Sequence, residues 1–260
     1  MQMINSHCGV TRDARGVVRL AISNAGSLTI LNSTVIKAVV EGLTTLAADA
    51  DIRALILSGG TEKSMIGGAD IKEMATLDQA SAERFISGLR DLCEAVRNFP
   101  APIIARMPGW CLGGGLEVAA ACDFRVAAAD AKFAMPEVRV GIPSVIHAAL
   151  LPRLIGWGRA RWLLMTAATI DAPTALDWGL IDVVAADGEP LDDAVERVIE
   201  MLLECGPQAL RNQKALLRQW EDLPLKESVE ASIGAFGRSY LTDEPRRLMQ
   251  EFIDRKRGGK

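Results

Sequence analysis

Histidine is almost missing from this sequence: 260 residues contain two, His7 and His147. That number does not fit a histidine-rich metal centre. Cysteine is scarce in pattern rather than in number. Cys8, Cys93, Cys111, Cys122 and Cys205 make an odd set that never falls at Cys-x-x-Cys spacing. They read as free thiols in a reducing cytoplasm, not as a disulfide framework or a zinc site, and no metal is expected. An excess of basic charge is missing too. Lys plus Arg total 29 against 33 Asp plus Glu, a net charge of −4, whereas a nucleic-acid binder needs a basic face. Basic residues do crowd the end (Arg246, Arg247, Arg255, Lys256, Arg257, Lys260), which reads as a solvated last helix. No apolar run approaches the roughly 18 residues of a membrane span. The N-terminal stretch MQMINSHCGVTRDARG lacks the apolar core of a secretory signal, so no membrane partner is expected.

Several catalytic signatures are absent as well. A dinucleotide fingerprint starting at Gly113 would need glycine at position 118, which is Val118. There is no Gly-Lys-Ser/Thr of a phosphate loop, no Gly-x-Ser-x-Gly elbow and no His-Glu-x-x-His pair.

What remains is a well-cored chain, 49% hydrophobic and 24% charged, sized for one large domain or a core with an appendage. GVVRLAIS (Gly16 to Ser23) alternates as a strand does. Asn32 and Ser33 cap a helix predicted from about Thr34 to Ala48. RALILSGG (Arg53 to Gly60) and APIIARM (Ala101 to Met107) read as buried strands. KSMIGGADIKEM reads as a glycine-containing loop entering a short helix, and a longer helix is predicted from about Gln79 to Asn98. DFRVAA and AKFAMPE read as short strands. Helical patterns resume near Ser144, Arg159 and Pro173, and a last strand is predicted near Leu180 to Val184. Strands alternating with helices indicate α/β units with a mostly parallel sheet. After about Leu191 the pattern is helical only, which places a boundary around Asp187 to Pro190.

Two glycine loops carry the chemistry. GWCLGGGLEVAAACDF, from Gly109 to Phe124, sets three glycines before an apolar helix with one acid, Glu117. Glycine lets the backbone approach a ligand closely, and the first N–H groups of a helix have no internal partner. Such a turn can hold negative charge that develops during a reaction, and it can also be a close-packed turn. GGAD at Gly67 to Asp70 sits beyond another buried strand. Two such loops could each give one N–H to the same oxygen, with an acyl or thioester carbonyl as the natural guest. Glu137 lies twenty residues beyond Glu117, and two carboxyl groups beside one polarised carbonyl can divide acid and base work. Taken singly, Glu117 also fits a helix-dipole acid and Glu137 a solvated loop residue.

The order GGADIKEM, GWCLGGGLEVAAACDFRVAA, AKFAMPEVRVGIP, LPRLIGWGRARWLLMT and DAPTALDWGLIDVV resembles the enoyl-CoA hydratase/isomerase, or crotonase, family. The resemblance implies an α/β fold with a crotonase-like spiral core of ββα units. Residues 1–190 would form the core with the acyl-CoA site, and 191–260 a helical C-terminal region for oligomerisation as a homotrimer or homohexamer. It implies an oxyanion hole of the Ala69 and Gly114 N–H groups and a catalytic pair, Glu117 and Glu137. Glu117 would deprotonate the water that attacks C3 of a 2-enoyl-CoA, and Glu137 would supply the proton to C2. The substrate would meet Ala69, Asp70, Ile71, Lys72 and Gly114, with Phe252 and Lys256 at the adenine end. No cofactor is implied, because coenzyme A is part of the substrate. Double-bond isomerisation, thioester hydrolysis, C–C cleavage and non-catalytic acyl-CoA binding are the alternatives. Where many relatives carry IPGAGG, this chain has GIPSVIHAALLPRL, bulkier residues expected to begin a helix bordering the acyl pocket. His147 there is expected as a third polar group in the site, titrating near neutrality, or as a hydrogen-bonded core or outward residue.

Overall fold

The computed structural model describes residues 1–258. The chain begins with β1 (Gln2–Met3), β2 (Cys8–Arg12), β3 (Val17–Ile22) and the short β4 (Ile30–Leu31). Helix α1 (Ser33–Ala47) follows, with the Asn32 side chain accepting from the Val35 N–H as its cap. Next come β5 (Ala54–Gly59), β6 (Ser64–Ile66), β7 (Gly68–Ala69), the single-turn α2 (Ile71–Met74) and α3 (Gln79–Arg97). α3 starts at a reciprocal capping box between Asp78 and Ser81.

Three consecutive units then share one plan. Each sends a strand through a large sheet, then a strand through a small one, then a helix back across. The first is β5–β6 with α2 and α3. The second is β8 (Ile103–Met107), β9 (Trp110–Leu112) and α4 (Gly114–Ala121). The third is β10 (Phe124–Ala127), β11 (Lys132–Ala134) and α5 (Leu151–Thr166). Between β11 and α5 lie two 3-10 turns, Glu137–Val140 and Ile146–Leu150. β12 (Ile170–Asp171), α6 (Ala172–Trp178) and β13 (Val183–Val184) complete the strand-containing part. The large sheet runs β1-β2-β3-β5-β8-β10-β13, parallel from β3 onward, and the small sheet β12-β11-β9-β6. This is the spiral of ββα units that the sequence motifs imply.

Four helices complete the described residues: α7 (Leu191–Leu203), α8 (Pro207–Asp222), α9 (Leu225–Ser239) and α10 (Glu244–Gly258). α7 lays Val195, Val198 and Ile199 on Ile56, Ile104 and Val126, closing the sheet face opposite the main core. α8 is tied inward by the buried Lys214, whose Nζ donates to the Val96 and Ala101 carbonyls and to Asp123 Oδ2 at 2.6 Å. Of the basic C-terminal cluster, Arg247 pairs with Glu251 at 2.9 Å, and Lys260 lies outside the described residues.

Three local expectations change. The glycine loop before α2 holds two short strands, β6 and β7, because Met65 and Ile66 are drawn fully into the core. The helix expected near Ser144 is a 3-10 turn beginning at Ile146, whose φ of +39° departs from any regular helix. The helix expected near Arg159 starts earlier, at Leu151, and bends at Gly156, where φ is +75°. All five cysteines are free thiols, four of them buried. No helix among the described residues is long and apolar enough to cross a membrane.

Candidate active site

The site is built on the turn between β9 and α4. Gly113 has φ +52° and ψ −125°, a conformation open to glycine. A Cβ at Gly113 would run into Glu137 Oε1. Gly113 therefore allows one carboxylate to sit directly on the turn. α4 is buried on every side and carries no side-chain cap, so the Gly114 N–H, first in the helix, has no acceptor within it.

Ala69 approaches from β7. The neighbouring Asp70 N–H donates to the Leu31 carbonyl of β4 at 2.9 Å. Strand alternation turns the Ala69 N–H away from β4, and α4 packs against β7.

Glu117 is 3% exposed, on the first turn of α4. Its Oε1 accepts from the Ala148 N–H at 3.0 Å. Burial is the largest influence on its carboxyl and raises its pKa to about 8. The amides of Ala148 and Val145 pull it down, while the nearby Glu137 charge pushes it up. Glu137 opens the first 3-10 turn, and its Oε2 accepts from the Ser144 hydroxyl at 2.8 Å.

These groups share one cavity of about 750 Å³. Ala69, Gly114, Glu117 and Glu137 all line it. Its apolar wall is one face of α3, where Phe85, Ile86 and Leu89 recur at helical spacing, with Val145 facing from the other side. Leu89 sits hard against Gly114: its Cδ2 lies 2.6 Å from where a Cβ there would be. Two carboxyl groups, two residues from the glycine-bearing turns and an apolar wall thus border one cavity.

Other expected residues fall differently. Ile71 is exposed and lines the cavity. The Asp70 side chain instead caps α2, accepting from the Lys72 and Glu73 N–H groups. Lys72, Phe252 and Lys256 do not line the cavity of the single chain; the Lys256 ammonium rests 4.7 Å from the centre of the Phe252 ring. His147, expected at the acyl pocket, is buried behind the turn, outside the cavity lining. Its Nε2 meets Glu94 Oε1 at 2.8 Å because the turn faces its ring toward α3. Of the alternatives for His147, the hydrogen-bonded core residue is the one observed.

Two features went unnoticed in the sequence. The α3 wall was available in its i, i+3, i+4 apolar pattern. The amide of Ala148 leaves no mark at all, because any residue offers the same N–H. Among the described residues, no cluster of three or more His, Cys, Asp or Glu side chains is placed to hold a metal ion.

Comparison with known proteins bears on the chain as a whole. The family described as Enoyl-CoA hydratase/isomerase matches residues 12–258. A crotonyl-CoA hydratase of Syntrophomonas wolfei is 32% identical over 239 residues, 92% of each chain. A short-chain-enoyl-CoA hydratase of Clostridium acetobutylicum is 30% identical over 242 residues, covering 93% of this chain and 92% of that protein. The crystal structure of an enoyl-CoA hydratase from Bacillus anthracis superposes with a TM-score of 0.90 at 28% identity, covering 96% of this chain and 97% of the other.

Proposed function

The chain belongs to the enoyl-CoA hydratase/isomerase family, and from that premise we propose that it is an enoyl-CoA hydratase, adding water reversibly to a 2-enoyl-CoA thioester. The observation that carries the reading is the convergence of Glu117 and Glu137 on one cavity with the amide-bearing Ala69 and Gly114.

The thioester oxygen is held by the Ala69 and Gly114 N–H groups. Water adds through its oxygen to C3. The C2–C3 π pair moves toward C1, and the negative charge collects on the thioester oxygen, where the amides wait. One such donor contributes about 3 kcal/mol to the transition state, roughly a hundredfold in rate. Glu117 takes the water's proton and Glu137 delivers one to C2, so the pair carries a single proton before and after. Hydration starts with that proton on Glu137 and dehydration with it on Glu117. Burial of Glu117 keeps the proton there in the free enzyme. Both directions use the singly protonated pair, so kcat/KM falls in both as the pH rises past about 8 and Glu117 loses it.

The reaction takes coenzyme A as part of its substrate and calls for no resident cofactor. Ala69 to Lys72 form the edge along which the coenzyme A arm would run; exposed Ile71 on the cavity rim supports this. Phe252 and Lys256 would reach an adenine only from a neighbouring subunit of a homotrimer or homohexamer. The exposed apolar residues of α9 support that assembly. The free thiols support a cytoplasmic setting.

The test is turnover of 2-enoyl-CoAs by the purified protein, followed as loss of the conjugated-thioester absorbance and a gain of one water in product mass. Glu117→Gln and Glu137→Gln should each lower kcat by about 10²- to 10⁴-fold. Turnover unchanged in both variants would refute the assignment, and loss of the acyl group without water gain would redirect it to thioester hydrolysis.

A further inference from the structure

Glu117 is held by a turn that has no reason of its own to stay where it is. Ile146 sits at φ +39°, costly for a β-branched residue, and such a conformation persists only where its surroundings over-determine it. The residue after it, His147, is buried, and the next, Ala148, donates its N–H to Glu117 Oε1 at 3.0 Å. The only side-chain bond from the 146–150 turn into the neighbouring helix is His147 Nε2 to Glu94 Oε1 of α3, at 2.8 Å, among the described residues. A carboxylate can only accept, so Nε2 carries the hydrogen. The other ring nitrogen, Nδ1, is buried with no hydrogen-bond partner among the described residues, so the ring's own polar hold runs through Nε2.

Glu94 is itself braced. Asn98 Nδ2 donates to its Oε2 at 3.0 Å. The guanidinium groups of Arg97 and Arg218 lie 3.8 and 3.7 Å from its oxygens, and both also pair with Glu221. The network thus runs from α8 through α3 to the turn.

We propose that His147 is a positioning residue: its bond to Glu94 fixes the strained turn, and the turn fixes the Ala148 amide on Glu117. The proposal rests on the reading of Glu117 as a catalytic carboxyl. Loosening that amide removes a donor that favours the ionised carboxyl, so Glu117 must then lose its proton at higher pH. The titratable groups facing Glu117 are Glu137 from the first 3-10 turn and Cys93 from α3; those facing His147 are Glu94 and, behind it, Arg97 and Arg218.

The test uses geometry that a generic polar residue would not reproduce. Gln places its amide nitrogen near the Nε2 position, whereas Asn reaches only the Nδ1 position. His147→Asn should lower kcat about 10-fold with KM within about twofold, and should move the alkaline limb of kcat/KM upward by about half a pH unit or more. His147→Gln should recover most of kcat and return the limb. Equal behaviour of the two variants, or a kcat loss with the limb unmoved, would overturn the proposal. A second measurement needs no activity. Urea unfolding midpoints are compared for His147→Asn in the native and Glu117→Gln backgrounds. The substitution should cost more with Glu117 than with the Gln variant at pH 9, and equally in both at pH 5.5; coupling that ignores pH overturns the proposal. Glu94→Gln, which removes the charge at the far end of the same bond, serves as the second variant and should show the same pH-dependent coupling. A wild-type protein that turns over no enoyl-CoA yet shows the coupling would sink the hydratase reading and uphold the hold on Glu117.

Discussion

Glu117 is an acid placed where acids are expensive, and its stability linkage has a definite sign. Its pKa rises from an ordinary 4.5 to about 8 in the folded protein, chiefly through burial. Between those pH values the native state binds the proton and the unfolded chain does not. The contribution is therefore fully present below about 4.5 and is lost as pH rises through about 8. The whole shift corresponds to at most roughly 5 kcal/mol. Glu117→Gln keeps the shape and cannot ionise. The variant should match the wild type in urea unfolding near pH 5 and exceed it near pH 9 by on the order of 2 kcal/mol. A difference that is the same at both pH values would show that burial is not what governs this carboxyl. At this scale the sequence was legible where chemistry has a signature: two acids and two glycine loops in a known order. It was silent on Ala148 and left His147 open between site and core, since which way a buried ring points depends on a turn whose φ no composition rule supplies.

Elements differ in legibility according to length and period. β5, α1 and α3 are long enough to display their patterns, and each lies within two residues of its expected bounds. The small sheet is built from strands of three residues or fewer, too short for alternation to show. The long α3 also sets the shape of the cavity. Leu89 is buried beside Gly114, Ile86 is half-buried one turn earlier, and Ala82 is exposed but still lines the cavity. Seven residues of helix carry this face about 10 Å outward. An acyl chain leaving the glutamate pair thus has an apolar wall that opens toward the N-terminus of α3. Ala82→Trp should narrow the open end. Its kcat/KM should stay within about twofold for a four-carbon enoyl-CoA and fall about 10-fold or more for a ten-carbon one, a loss of about 1.4 kcal/mol in transition-state binding. Equal losses on both substrates would place the acyl chain elsewhere.

At the scale of the whole molecule, α9 presents a surface that the single chain does not explain. α9 exposes Leu225, Val229, Ile233 and Phe236, at steps of four, four and three along one helical face, with Ile233 67% and Phe236 68% exposed. Scattered apolar residues on a surface are ordinary; a contiguous stripe of large ones marks a contact. The stripe follows α8, which Lys214 fastens to Asp123 in the core, so α9 is presented from a fixed base rather than from a loose tail. The helical pattern after Leu191 was plain in the sequence, but which face stays uncovered depends on how α8 and α9 pack. Sedimentation of the purified protein should give three or six times the chain mass. Phe236→Glu puts a charge in the middle of the stripe, where burial without a partner is costly, and should shift the sample toward single chains at micromolar concentration. If Phe252 and Lys256 reach the coenzyme A end only from a neighbour, the dissociated variant should also show a raised KM with kcat nearly kept. A variant that remains assembled, or a wild type that sediments as one chain, would leave the α9 face without the partner argued for it.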